Sequence, residues 1–235
     1  MKKIISIGIV LSFAMCIASV NAAPSSGETN PGYYLTTEND LSPFHVGMYW
    51  RENTLDMSEH MYNYDVHHMM GFIGYDVLDW LNVYLLFGAA QMEDDMETGS
   101  DMEFNYGIGL WMNLLNHDID DYNPFFNRFR IQTSAQYTQT EFYDITYREY
   151  TANLTFGVVN DFVFGPISAW PESLCVYFGP SVNYMDYEYL EQSRDDRLGI
   201  IVGVDLQLSA RVVIGASYEV FDDDDKIGVY LHSRL

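Results

Sequence analysis

From Pro43 onward the chain alternates. Phe44, Val46, Met48 and Trp50 interleave with His45, Gly47, Tyr49 and Arg51. Met102, Phe104, Tyr106, Ile108, Leu110 and Met112 interleave with Glu103, Asn105, Gly107 and Gly109. Apolar residues at a sustained spacing of two define a strand, because a helix would scatter them around its circumference. The same pattern recurs to the end of the chain and predicts ten strands. They lie near 43–53, 67–76, 81–92, 101–113, 127–140, 145–159, 172–186, 197–208, 211–221 and 225–234. Segments 67–76 and 81–92 alternate less cleanly and are placed by the turn signals around them. The expected fold is all-β and antiparallel.

Two kinds of barrel produce this alternation, and the polar set separates them. A soluble barrel turns its apolar residues inward. A transmembrane barrel turns them to lipid and keeps small or polar residues in its lumen. Here the polar set is Gly107, Gly109, Ser134, Thr151, Thr155, Gly157, Gly179, Ser181, Gly203, Gly215 and Ser217, with few charges. A solvated face normally carries abundant Lys and Glu. The pattern therefore fits a confined interior and a transmembrane antiparallel β-barrel. Phe129 and Tyr137, eight positions apart on one face, stand about 27 Å apart along a strand and suit two aromatic girdles.

The N-terminus supplies a compartment. Lys2 and Lys3 precede an uncharged, largely apolar run from Ile4 to Val20 that ends in Asn21-Ala22-Ala23. That is the layout of a secretory signal peptide, with cleavage expected after Ala22. Residues 1–22 are read as signal peptide, 23–41 as a flexible periplasmic leader rich in Pro, Ser and Gly, and 42–235 as the barrel domain. Cleavage removes Cys16 and leaves Cys175 alone, so no internal disulfide is expected.

Composition narrows the partners. The chain has 34 acidic against 11 basic side chains, a formal charge of −23, with Lys at positions 2, 3 and 226 alone. Nucleic-acid binding needs clustered cations to release counterions, and none are here. Disorder is excluded by a 48% apolar and 16% aromatic content. No cofactor is implied.

With these features the region 42–235 resembles the small bacterial outer-membrane β-barrel proteins. Their last strand carries apolar side chains at alternate positions up to an aromatic terminus, and the barrel assembly machinery reads it. Here Ile227, Val229, Leu231 and Leu235 occupy the alternate positions and Gly228 and Tyr230 the others, although the last residue is Leu and Ser233 interrupts the apolar row. The resemblance implies a location in the outer membrane, in contact with its lipid and lipopolysaccharide.

Charged residues on the polar face should fill the lumen as a ladder of ion pairs: Arg51, Glu103, Arg128, Arg130, Glu149, Asp205 and Glu219. They could plug the barrel or line a narrow solute pore. Acidic clusters fall in the expected outer loops, most densely at Asp222, Asp223, Asp224 and Asp225. Carboxylates of this kind suit hard divalent cations, or simply keep the loops solvated. Met57, His60, Met61, His67, His68, Met69, Met70, Met92 and Met96 offer soft-metal donors near the first loop. For catalysis, Asp65-Val66-His67 resembles the Asp-x-His pair of barrel proteases, but a facing acidic pair of matching spacing is missing. Neither a His-x-Ser motif nor a G-x-S-x-G elbow occurs. A non-enzymatic structural or surface-interaction role is expected. The competing expectation is a soluble secreted or periplasmic barrel that binds a small ligand inside. It would turn Phe104, Ile108 and Leu110 inward and Asn105 and Gly109 outward.

Overall fold

The computed structural model describes residues 42–57, 62–78, 80–94, 101–118, 128–142, 145–161, 173–187, 194–209, 211–222 and 224–235. The expected signal peptide and leader lie outside them. Ten strands close into one antiparallel barrel: β1 (Phe44–Met57), β2 (Tyr62–Leu78), β3 (Leu81–Asp94), β4 (Glu103–Asp118), β5 (Arg128–Phe142), β6 (Ile145–Asp161), β7 (Ser173–Tyr187), β8 (Arg194–Ser209), β9 (Val212–Val220) and β10 (Asp225–Arg234). Each strand pairs with its sequence neighbours, and β1 pairs with β10 from His45↔Arg234 to Thr54↔Asp225. The closure leaves no open sheet edge along that length. The Leu235 amide also donates to the Phe44 carbonyl at 3.0 Å, which ties the last residue to the first strand.

The start of β1 at Phe44 and the end of β10 at Arg234 lie at one rim, here called the inner rim, together with the end of β2 at Leu78 and the start of β3 at Leu81. Ladder irregularities at Asp76/Leu78, Asn113/Leu115 and Gln207/Ser209 all fall toward that rim. Antiparallel order puts the β4–β5, β6–β7 and β8–β9 connections at that rim as well, and the β1–β2, β3–β4, β5–β6, β7–β8 and β9–β10 connections at the opposite, outer rim. Several strands run further at the outer rim than alternation predicts: β1 reaches Met57, β2 starts at Tyr62 and β8 at Arg194. Beyond the apolar band no second face has to be apolar, so ladder hydrogen bonds continue where hydrophobic periodicity stops.

The faces are inverted relative to a water-soluble barrel. Phe104 is 65% and Ile108 48% exposed on the outer wall, whereas Asn105 and Gly109 are buried inside. Leu85, Val176, Phe178, Leu198 and Ile200 continue this exposed apolar band around the wall. Aromatic rings border it. Phe44 and Tyr75 meet edge-to-face at 5.1 Å near the inner rim, beside exposed Trp80. Tyr137 and Tyr150 (4.8 Å) and Tyr150 and Tyr184 (5.5 Å) line up toward the outer rim.

The interior is two-sided. Met70, Phe72, Tyr84 and Leu86 of β2 and β3 form a buried apolar sector, with Trp111 and Tyr49 packed on it. Both faces of β2 and β3 are therefore apolar, which is why their alternation is blurred in the sequence. Inward aromatic rings lie over glycines on the adjoining strand. Tyr84 faces Gly109, Tyr177 faces Gly203 and Tyr230 faces Gly215 in register. A Cβ at any of these glycines would overlap the ring. Glycine here allows a large side chain to lie flat against the wall and fill a narrow lumen.

Candidate functional site

The lumen contains most of the buried chemistry, stacked in layers from the outer rim inward. The outermost layer is apolar: Val66, Ala90, Phe142, Tyr147 and Met185 come together from β2, β3, β5, β6 and β7, each at most 2% exposed. Contacts among side chains from such separated strands must cross the lumen.

Below it lies an ionic layer. Glu149 on β6 accepts from Arg51 on β1 and from Lys226 on β10, the latter at 2.6 Å. In a ten-strand barrel β1 and β6 are five strands apart in either direction, so the Arg51–Glu149 pair spans the full diameter. The Lys226 ammonium also sits 5.0 Å from the centre of the Phe221 ring. Nearby, Ser181 donates to Glu219 at 2.7 Å, and Asn105 and His68 are 2.8 Å apart. A buried ion pair repays its desolvation only when its remaining lone pairs and protons are satisfied, and one carboxylate with two cations meets part of that need.

A third layer is polar and aromatic. Gln136 donates to the Tyr49 hydroxyl at 3.0 Å and accepts from Tyr84 at 3.3 Å, which links β5 to β1 and β3. Beside it is a cavity of about 200 Å³ lined by Tyr49, Gln136, Ser217 and Glu219 among others. A second ion pair closes the next level: Arg130 contacts Asp205 at 3.3 Å and Cys175 Sγ at 3.0 Å, and the Tyr230 hydroxyl donates to Asp205. At the inner rim, Asp76 receives Arg234 at 2.8 Å and Asn82 at 3.0 Å, and its carboxylate lies 2.8 Å from His45 Nε2. His45 in turn meets His232 at 2.9 Å, and the His232 ring stacks on Trp111 at 5.4 Å.

Of the residues singled out in the sequence, Arg51 and Glu149 meet, as do Arg130 and Asp205. Glu219 and Arg128 are buried, and Glu103 is half-buried at the outer end of β4. Lys226, His45, His232, Asp76 and Arg234 were not singled out, yet they complete the layers. For Lys226 the signal was available: a Lys on the strand face shared with Gly228 and Tyr230 needs a buried acid. In the four-aspartate run the described side chains share no common partner. Asp222 is exposed, Asp224 pairs with Arg197, Asp225 accepts from Tyr218 at 2.9 Å, and Asp223 lies outside the described residues.

The Met/His group is split between faces. Met70 and His68 point inward, while Met69 is exposed on the wall. His67 stacks with Trp50 at 6.4 Å and lies 3.4 Å from Glu52. His60, Met61 and Met96 lie outside the described residues. Among the described residues no three His, Cys, Asp or Glu side chains gather as a metal group. Asp65 accepts from Thr54 at 2.9 Å, so Asp65 and His67 have different partners. In the C-terminal strand, Tyr230 points inward over Gly215, Gly228 faces Arg51 in register, and Leu231 lies between Met48 and Ile214.

No family model and no curated protein sequence matches the chain. Among solved structures it is similar to the β domain of the Bordetella autotransporter BrkA, at 9% identity and a TM-score of 0.48, covering 83% of this chain and 100% of that one. It is also similar to neisserial surface protein A (12%, TM-score 0.31, 83% and 97%) and to the outer membrane protease OmpT of Escherichia coli (8%, TM-score 0.32, 86% and 97%). The likeness is to small bacterial outer-membrane β-barrels.

Proposed function

We propose that the protein is an outer-membrane barrel closed by its own side chains, with a structural or surface-interaction role rather than passage of solutes. The observation that carries this reading is the Arg51–Glu149–Lys226 layer, which bridges opposite walls beneath an apolar lid. A ten-strand barrel is only slightly wider than those that side chains can fill. An aqueous path would have to break both layers and leave three charges unpaired.

The exposed apolar band supports a membrane setting, since a continuous patch of this extent on a water-soluble monomer would drive association. In that setting lipid and lipopolysaccharide surround the wall, and the C-terminal strand with Leu231 and Leu235 serves the assembly machinery. Divalent cations at the acidic outer rim would act there as counterions.

Fractionation and gel mobility test the membrane half of the proposal. We expect the folded protein to stay with membranes through carbonate and salt washes. It should migrate differently before and after boiling in detergent, because a closed barrel resists unfolding until heated. Release by carbonate with a single heat-independent band would overturn it.

A further inference from the structure

The layers of the lumen leave a chamber between them. The cavity of about 200 Å³ beside Gln136 has Arg51 and Glu219 at its outer end and Asp205 and Tyr230 at its inner end. Its lining divides by chemistry. Tyr49, Tyr84 and Trp111 of β1, β3 and β4 form an aromatic wall. Gln136, Asn153 and Ser217 of β5, β6 and β9 bring neutral amides and a hydroxyl.

That polar lining keeps hydrogen-bonding capacity in hand. The Asn153 side chain accepts from Ser134 at 3.0 Å, and among the described residues its NH2 group has no partner. The Ser217 hydroxyl has none among them either. Glu219 accepts Ser181 through one carboxylate oxygen, at 2.7 Å, and also lines the cavity. Each charge at the border already faces an opposite one. Arg51 meets Glu149, Asp205 meets Arg130, and Glu219 stands in register with Lys226. A charged ligand would therefore add a buried charge without a partner. Water alone fits poorly too. About seven molecules would fill the volume, each needing about two to four polar partners. The aromatic wall offers mainly ring faces, because the Tyr49 and Tyr84 hydroxyls are both engaged with Gln136.

We propose that the chamber is a binding site for one neutral, polyhydroxylated ring of monosaccharide size. Its C–H face lies against Tyr49, Tyr84 and Trp111. Its hydroxyls, each both donor and acceptor, accept from Asn153, donate to Glu219 and pair with Ser217. The inference rests on the closed-lumen reading above, because the ionic levels that block a solute path also bound the chamber.

Native mass spectrometry tests this on the full chain, refolded in a sugar-free detergent with a probe present and then exchanged into probe-free buffer. The probes are glucose, glucosamine in its ammonium form, and glucuronate. Refolding in the probe admits it before the lumen closes. We expect one glucose retained per barrel, and retention of the two charged analogues lower by roughly tenfold or more. Ser217→Phe should abolish retention by filling the chamber. Asn153→Leu should weaken it by roughly tenfold, the weight of a hydrogen bond lost in a desolvated site. The heat-dependent gel shift of each variant confirms that it is folded, and Ser217→Leu replaces Ser217→Phe if the larger ring prevents folding. A folded, non-conducting barrel that retains no glucose holds water only and overturns the site. Equal retention of the three probes, or retention unchanged in folded Ser217 and Asn153 variants, overturns it as well. Unitary conductance from the wild-type chain would instead overturn the closed lumen beneath it.

Discussion

Replacing Glu149 by Gln should destabilise the barrel by about 3–5 kcal/mol, the cost of leaving a buried charge without its partner. The geometry makes this site unusually sensitive. Glu149 is 1% exposed and receives both Arg51 and Lys226, so one neutral substitution orphans two cations at once. A side chain of the same shape leaves no cavity, which isolates the electrostatic effect from packing. Adding Lys226→Met should recover part of the loss, because only Arg51 then remains unpaired. Chemical unfolding of the three variants in detergent micelles reads the coupling as a double-mutant cycle. Additive effects, or a Glu149→Gln barrel as stable as the parent, would show that the ionic layer does not hold the lumen together.

On the outer wall, Phe178→Arg should cost about 2–4 kcal/mol in a bilayer, the penalty for a cation near the middle of a lipid-facing band. Phe178 is 59% exposed and lies mid-strand on β7, against Phe156 at 6.2 Å. The same substitution on a water-facing wall would fall within about 0.5 kcal/mol, since exposed surface positions tolerate change. The size of the effect therefore distinguishes lipid from water at that residue. Folding titrations in phospholipid vesicles give the number, and a near-neutral result would place Phe178 in water.

These two residues also show what the sequence could disclose. Phe178 belongs to the period-two pattern, and that pattern identifies ten strands because one uniform solvent on the outside imposes one rule on every other residue. The rule fails on β2 and β3, where Phe72, Tyr84 and Leu86 are apolar inside as well as outside. It fails again at the outer rim, where β1 and β2 continue beyond the band without a hydrophobic requirement.

Glu149 was legible as a lumen residue, but its partners were not. Arg51 lies 98 residues away in sequence and Lys226 lies 77 away. Alternation gives the side a residue faces, whereas pairing across a closed barrel depends on strand stagger and on which walls stand opposite. For the same reason the inner-rim group of Asp76, His45, His232 and Arg234 emerges only once β1, β2 and β10 are adjacent. Asp224 and Asp225 illustrate the converse: adjacent in sequence, they take separate partners, Arg197 and Tyr218, because successive side chains of extended backbone point to opposite faces.

The most direct test of a membrane barrel closed by its own side chains is planar-bilayer conductance of the purified, refolded chain across a range of voltages. The layers at Val66–Met185, Arg51–Glu149 and Arg130–Asp205 predict silence, with no unitary steps. Reproducible single-channel openings from the unmodified protein would contradict that prediction and make the same charges the lining of a pore.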